Sequence, residues 1–101
     1  MNSIEIHINN IGNNINILID VTNNKIIING QAKNITLEQI NELLRIIRTW
    51  KSVYNNKTKV IDTETFNIII NTEEGIDMIK GEGEYPDNYY ELKKWIGEFY
   101  E

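Results

Sequence analysis

A chain of 101 residues, 41% of them hydrophobic and 25% charged, has the size and composition of a single globular domain. It contains no cysteine, which excludes disulfide bridges, cysteine-ligated metal centres and thiol nucleophiles. The formal net charge of −5 is uneven: residues 1–60 sum to +3 (seven basic, four acidic) and residues 61–101 to −8 (three basic, eleven acidic). This acidic second part disfavours direct binding to nucleic acid.

Isoleucine and asparagine dominate the composition, with 21 Ile and 16 Asn. An A/T-rich genome raises both residues, which points to a bacterium or its phage. The N-terminus lacks a basic segment followed by an apolar run, and the longest aliphatic runs are three residues, such as Ile26-Ile27-Ile28. Since a membrane helix needs about 20 apolar residues, we expect no signal peptide, no membrane contact and a cytoplasmic location.

Three strands are predicted in the first third of the chain, because apolar residues there alternate with polar ones. They cover residues 4–8, 15–21 and 26–28. Asn23-Asn24 predicts a tight turn between the second and third strands, since asparagine tolerates positive φ. Gly30 is predicted to end the third strand.

An amphipathic helix follows. Thr36 and Gln39 have the spacing of a capping box at its start. Apolar residues then recur at three- and four-residue spacing and predict a helix that ends near Asn55-Asn56. These residues are Ile40, Leu43, Leu44, Ile47, Trp50 and Tyr54.

The last third predicts two strands and a second helix. The strands begin at Phe66 and Ile76 and are joined by a turn at Glu74-Gly75. Asp87, after Pro86, is the predicted N-cap of the final helix. We therefore expect residues 1–101 to form one α+β domain with a five-stranded antiparallel sheet, in the order β-β-β-α-β-β-α, and both helices packed on one face.

The segment between the last strand and the last helix is the most distinctive, because it combines three tyrosines with three carboxylates. Tyrosine supplies a large contact area with a polar tip, and carboxylates attract a basic partner. We predict a partner-binding site formed by Glu82, Glu84, Tyr85, Asp87, Tyr89 and Tyr90. The alternative is purely structural: the glycines relax the strand end, Pro86 stiffens the turn and one tyrosine belongs to the core.

The same segment carries a resemblance. The pattern Gly-x-Gly-x-Tyr-Pro-x-Asn-Tyr, from Gly81 to Tyr89, followed by a helix containing Trp95, resembles the ending of small uncharacterised proteins of low-GC Gram-positive bacteria. A helix similar to residues 43–51 precedes it in those proteins. The resemblance covers half to two-thirds of the chain and implies no activity and no catalytic residues.

Other clusters of polar residues have ordinary explanations. His7 is the only histidine and shares a strand face with Glu5, but a metal site needs three or four ligands and no third is evident. Acidic residues at a predicted turn and basic residues on the first helix are typical of solvated surfaces. They are Glu73, Glu74 and Asp77 at the turn and Arg45, Arg48 and Lys51 on the helix. We expect no metal and no cofactor.

Three function classes remain after these exclusions. The first is a non-enzymatic protein-binding module with a basic partner, such as a bacterial or phage inhibitor (anti-CRISPR-like) or a toxin-immunity protein. The second is a small-molecule or metal-dependent enzyme that uses the acidic loop residues and His7. The third is a homo-oligomeric structural protein, a homodimer for example, which associates through Leu18, Ile27 and Ile69 on the sheet face opposite the helices.

Overall fold

The computed structural model describes residues 1–10, 12–55 and 64–100. Within these residues the chain forms seven strands and two helices. In chain order they are β1 (Ser3–Asn10), β2 (Asn13–Asp20), β3 (Lys25–Ile28), β4 (Gln31–Asn34), α1 (Leu37–Ile47), β5 (Val53–Asn55), β6 (Thr65–Thr72), β7 (Gly75–Glu82) and α2 (Tyr89–Gly97).

The strands form one sheet in the order β4-β3-β2-β1-β6-β7-β5. Every neighbouring pair among the described strands is antiparallel except β5 and β7, which run parallel. The α+β class with a mostly antiparallel sheet is therefore confirmed. The prediction of five strands, all antiparallel, is wrong, because β4 and β5 were missed at the two edges of the sheet.

Strand β4 follows a two-residue turn at Asn29-Gly30, where φ is 47° and 86°. Positive φ at both central residues is the geometry that asparagine and glycine favour in hairpins. The turn brings Gln31 opposite Ile28. The strand itself, Gln31–Asn34, has no apolar alternation, so only the Asn-Gly turn predicts it.

Strand β5 lies where the first helix was predicted to end. Helix α1 ends at Ile47 and not near Asn55-Asn56, although the capping box at its start is confirmed. Trp50 and Tyr54 are still buried, at 9% and 7% exposure. A turn delivers Trp50 to the core, and Tyr54 reaches it from β5, opposite Gly81. The burial of Trp50 and Tyr54 was therefore predicted from helical spacing, although a turn and a strand, not a helix, carry them.

Helix α2 begins one residue later than predicted, because Asn88 and not Asp87 is its N-cap. The Asn88 side chain makes no capping bond to α2 and is used elsewhere. The helix ends at Gly97. Phe99 is buried in the turn just beyond it, where its backbone N–H donates to the Ile96 carbonyl.

One face of the sheet and both helices enclose a single core. Ile4, Ile6 and Ile8 of β1 are at most 1% exposed, whereas the residues between them face the other, open side of the sheet. The indole N–H of Trp95 donates to the carbonyl of Gln39 over 2.9 Å and joins α2 to the first turn of α1. The segment 83–88 links the end of β7, where this strand lies between β6 and β5, to the helical layer.

Candidate functional site

Two of the predicted site residues, Tyr85 and Tyr89, belong to an aromatic cluster. Their rings stack with centroids 4.8 Å apart, and both contact Phe66, at 6.1 and 5.0 Å. Trp50 and Tyr54 approach the same ring at 5.7 and 6.2 Å. Both site tyrosines are half-buried, and Phe66 is fully buried. The cluster attaches the β7–α2 connection to the core.

The hydroxyl groups of both tyrosines are bound by one residue, Glu64. Tyr85 donates to the Glu64 backbone carbonyl over 2.6 Å, and Tyr89 donates to its Oε2 over 2.6 Å. The Lys93 ammonium donates to Oε1 over 2.8 Å, with the Glu64 side chain 15% exposed. We call Glu64, Tyr85 and Tyr89 the tyrosine clamp.

The tyrosine clamp shifts the pKa values of its own groups. Burial raises the pKa of Glu64, but the hydrogen bonds from Lys93 and Tyr89 and the Lys93 charge outweigh it, so the net shift is downward. Burial and the Glu64 carboxylate raise the pKa of Tyr89, and burial raises that of Tyr85. At neutral pH, Glu64 is therefore ionised and both hydroxyls remain donors.

Asn88 fixes the same connection to α1. Its Oδ1 accepts from the Trp50 indole N–H over 2.7 Å, and its Nδ2 donates to the Ile46 carbonyl over 3.0 Å. The second bond satisfies one of the carbonyl groups that the end of a helix leaves without a partner. Pro86, which follows Tyr85 in the sequence, is buried. The segment 83–88 thus has no regular secondary structure but is held at three points.

The acidic side chains point away from these contacts. Glu82, Glu84 and Asp87 are all exposed. Glu84 and Asp87 line one crevice of roughly 270 Å³, whose wall also contains Lys51 and Tyr54. Glu82 lies on β7 and lines a neighbouring depression. We call these three carboxylates the acidic loop.

Tyr90 is separated from the acidic loop. It is 69% exposed and lies in a third depression, between α1 and α2, together with Lys94 and Glu42. The six predicted residues are therefore divided: two form part of the aromatic cluster, three form the acidic loop, and Tyr90 lies on the helical surface. The roles of Glu64 and Asn88 were not predicted, because they depend on contacts with residues 21 to 42 positions away in sequence.

A groove of roughly 660 Å³ lies between α1 and β7, and we call it the edge groove. Its apolar lining includes Leu44 and Ile47 of α1 and Ile79 of β7. Arg45 and Arg48 lie on its helical side. Arg45 bonds to Glu42, at 2.6 Å, and to Glu91, at 3.4 Å. Lys51 lies beyond the end of α1, so the three basic residues predicted on the first helix do not all lie on it.

His7 lies on the open face of β1, where its Nδ1 is 2.8 Å from Asn16 Oδ1 and its Nε2 is 3.4 Å from Glu5. Glu73 and Glu74 form the exposed β6–β7 turn. Across residues 1–10, 12–55 and 64–100, no group of three or more His, Asp or Glu side chains is arranged to hold a metal ion.

The open face carries the apolar stripe that the sequence predicts. Cross-strand register places Leu18 beside Ile27 and Ile69 beside Met78, and Leu18 and Met78 are 40% and 44% exposed. Glu5 lies between Leu18 and Ile69 in the same row. Its carboxylate interrupts the stripe at the centre of the sheet.

No protein-family model, curated protein or solved structure shows significant similarity to this chain. Neither α1 nor α2, the helices of the described residues, has the length and apolar character needed to cross a membrane.

Proposed function

We propose that this chain is a non-enzymatic protein-binding module whose acidic loop engages a basic surface of a partner protein. The corresponding class is a bacterial or phage inhibitor, anti-CRISPR-like, or a toxin-immunity protein. The observation that carries the proposal is the anchoring of the acidic loop by the tyrosine clamp. Tyr85 holds the connection between Glu84 and Asp87, so both carboxylates project from a fixed backbone.

A fixed backbone favours binding because little conformational entropy is lost when the partner arrives. The three carboxylates of the acidic loop are exposed and outnumber the two neighbouring cations, Lys51 and Lys80. An excess of negative charge steers a basic partner and raises the association rate at low salt. Tyr85 and Tyr89 then act as positioning residues, while the contacts come from Glu82, Glu84 and Asp87. Tyr90 extends the contact surface only where the partner also covers the α1–α2 depression.

The test compares two triple variants with the same change in net charge. The first, Glu82→Gln/Glu84→Gln/Asp87→Asn, neutralises the acidic loop. The second neutralises three exposed carboxylates elsewhere: Glu38→Gln/Glu73→Gln/Glu74→Gln. Each protein is used as bait in lysates of low-GC Gram-positive bacteria, and affinity for each captured protein is measured at two salt concentrations.

We expect the first variant to lose its partner and the second to retain it, with wild-type affinity falling as salt increases. Equal retention by both variants, or equal loss from both, would show that the acidic loop is not the binding surface. Tyr85→Phe provides a further check: it removes only the clamp hydroxyl, so it should weaken binding less than the first triple variant does.

Self-association through the open face is a second candidate, favoured by the exposure of Leu18 and Met78 in one cross-strand row. Light scattering over a range of concentrations, with Leu18→Lys as the variant, tests it. A wild-type dimer that becomes a monomer in Leu18→Lys supports this candidate, and a wild-type monomer at every concentration excludes it.

A further inference from the structure

Strand β7 has a free edge over most of its length. Its outer neighbour β5 pairs only with residues 80–82. In the described part of the chain, residues 75–79 have a partner strand on the β6 side alone. The Lys80 N–H donates to the Ser52 carbonyl over 2.8 Å, on the β5 side. Backbone groups alternate along a strand, so the N–H and C=O groups of Ile76 and Met78 face this same free edge.

Apolar side chains flank the free edge on both faces of the sheet. On the open face, Ile76, Met78 and Val53 are 65%, 44% and 61% exposed. On the helical face, the half-buried Leu44 and the buried Ile47 line the edge groove beside β7. A strand added here would place alternate side chains over these two surfaces. Exposed edges are usually protected by charge, a bulge or a covering element, and an apolar one indicates a docking site.

The charge of the edge groove is opposite to that of the molecule. Its lining contains Arg45, Arg48 and Asp77, which sum to +1, whereas the chain carries −5. Arg45 is already bonded to Glu42 and Glu91. Arg48 is exposed, and none of the ion pairs between described residues includes it. Arg48 is thus the group available for an incoming carboxylate.

We propose that β7 accepts an extended peptide segment of a partner protein by strand addition at residues 75–79. The segment is about five residues long, because it pairs with the five residues of the free edge, and it spans about 16 Å at about 3.3 Å per residue. It hydrogen-bonds to the backbone of Ile76 and Met78, packs apolar side chains into the edge groove and presents an acidic side chain to Arg48. This surface is distinct from the acidic loop and does not depend on it.

A second copy of the chain fits this edge less well than a peptide. Symmetric antiparallel pairing of two β7 strands, centred on residues 75–79, would place Asp77 directly opposite its symmetry mate. Like charges that face each other across a strand pair are destabilising. Extending the pairing beyond residue 79 would bring the second copy against Ser52, which already occupies the edge at Lys80.

The test uses a phage-displayed library of random decapeptides selected against the full chain. Enriched peptides are synthesised with blocked ends, and their affinities are measured for wild type, Arg48→Glu, Lys94→Glu and Met78→Pro. Lys94→Glu is the matched charge control, on the exposed surface of α2. Met78→Pro removes an edge N–H that β6 does not use. A peptide N-methylated along its backbone tests the same bonds without changing the protein.

We expect enriched peptides to alternate apolar residues and to contain an acidic residue. Arg48→Glu should weaken binding at least about tenfold, and Lys94→Glu less than about twofold. Met78→Pro and N-methylation should abolish binding. In the wild type, the Ile76 and Met78 amides should exchange rapidly with solvent and become protected by the peptide.

Four results would overturn the proposal. The first is that the selection enriches no peptide, and the second is that neither Arg48→Glu nor N-methylation of the peptide changes the affinity. The third is that adding peptide changes the NMR chemical shifts of amides in residues 83–90 alone. The fourth is that the protein forms a dimer without peptide, in which the Ile76 and Met78 amides are already protected from exchange. The third result would assign the peptides to the acidic loop, and the fourth would make a second copy the occupant. Peptide binding at β7 does not involve Glu82, Glu84 or Asp87. If the acidic-loop variants keep their partner, and the acidic loop is therefore not a binding surface, the expected peptide affinities at β7 do not change.

Discussion

Adding one methyl group at Gly81 should destabilise the fold by several kcal/mol, because this glycine lies against the Phe66 ring. A Cβ at position 81 would be 1.9 Å from Phe66 Cε1, 2.4 Å from Cζ and 2.6 Å from Cδ1. Carbon atoms in contact are normally separated by about 3.5–4.0 Å. The ring or the strand would therefore have to move by roughly 1.5 Å or more.

The ring has little room to move. Phe66 is 0% exposed, and its neighbours include Trp50 at 5.7 Å and Tyr89 at 5.0 Å between ring centroids. Overpacking a closed core costs about 1–3 kcal/mol, and a contact this short places the cost of Gly81→Ala at the upper end, about 3 kcal/mol. For a domain of this size, that corresponds to a fall in Tm of roughly 12–24 °C.

Urea unfolding followed by the fluorescence of the two tryptophans measures this change. Gly97→Ala is the matched control, because a Cβ there has no atom within 4 Å and the residue ends α2. The same chemical substitution should stabilise the protein at position 97, by up to about 1 kcal/mol. Phe66→Leu supplies a second background, in which Gly81→Ala should cost at least about 1 kcal/mol less.

A loss of under about 0.5 kcal/mol in Gly81→Ala would refute the packing argument, since that is within the range of a surface substitution. An equal loss in the wild-type and Phe66→Leu backgrounds would also refute it. In that case, the backbone at position 81, and not the contact with the ring, would determine the cost.

Three further substitutions test the anchoring of the site and the start of α1. Glu64→Gln should lower the free energy of unfolding by about 1 kcal/mol near neutral pH. Because the pKa of Glu64 is lower in the folded state than its unfolded value of 4.5, the stability that its carboxylate contributes is complete above pH 4.5 and is lost as pH falls through the folded-state pKa. A difference between Glu64→Gln and wild type that does not change with pH in urea unfolding would contradict the clamp. Asn88→Ala should cost about 2–3 kcal/mol by leaving the Trp50 N–H without an acceptor, and a loss below about 0.5 kcal/mol in thermal unfolding would mean that this bond contributes little. Thr36→Ala should cost about 1 kcal/mol, whereas Thr36→Ser should be nearly neutral, and equal losses would exclude the hydroxyl as the capping group.

Local chemistry made much of the fold predictable. The capping box at Thr36, the positive φ of 54° at Asn24 and the hairpin turn before Gly75 each depend on neighbours in sequence. The alternating isoleucines of β1 also predicted which face is buried. These features could be identified because the residues that cause them lie within one turn or one strand.

The missed features depend on partners far apart in sequence. Strand β5 exists because Val53–Asn55 meets residues 80–82. Val53 and Tyr54 have strand propensity, but two such residues do not outweigh the helical spacing that Trp50 and Tyr54 continue from α1. The tyrosine clamp depends on Glu64, which is 21 residues from Tyr85. The sequence identified the residues of the segment 82–90 but could not distinguish the anchoring tyrosines from the exposed carboxylates.

The central position of β1 in the sheet constrains how the chain can fold during synthesis. One edge of β1 pairs with β2, which follows it directly in the chain. Its other edge pairs with β6, which is synthesised much later: Ile6 pairs with Ile68, 62 positions further along the chain. Such a long loop makes closure of the sheet slow relative to formation of the β1–β4 meander. Until residue 72 has left the ribosome, an isoleucine-rich central strand remains an open edge. Because unpaired strand edges are prone to aggregate, slow translation over this interval should lower the yield of folded protein.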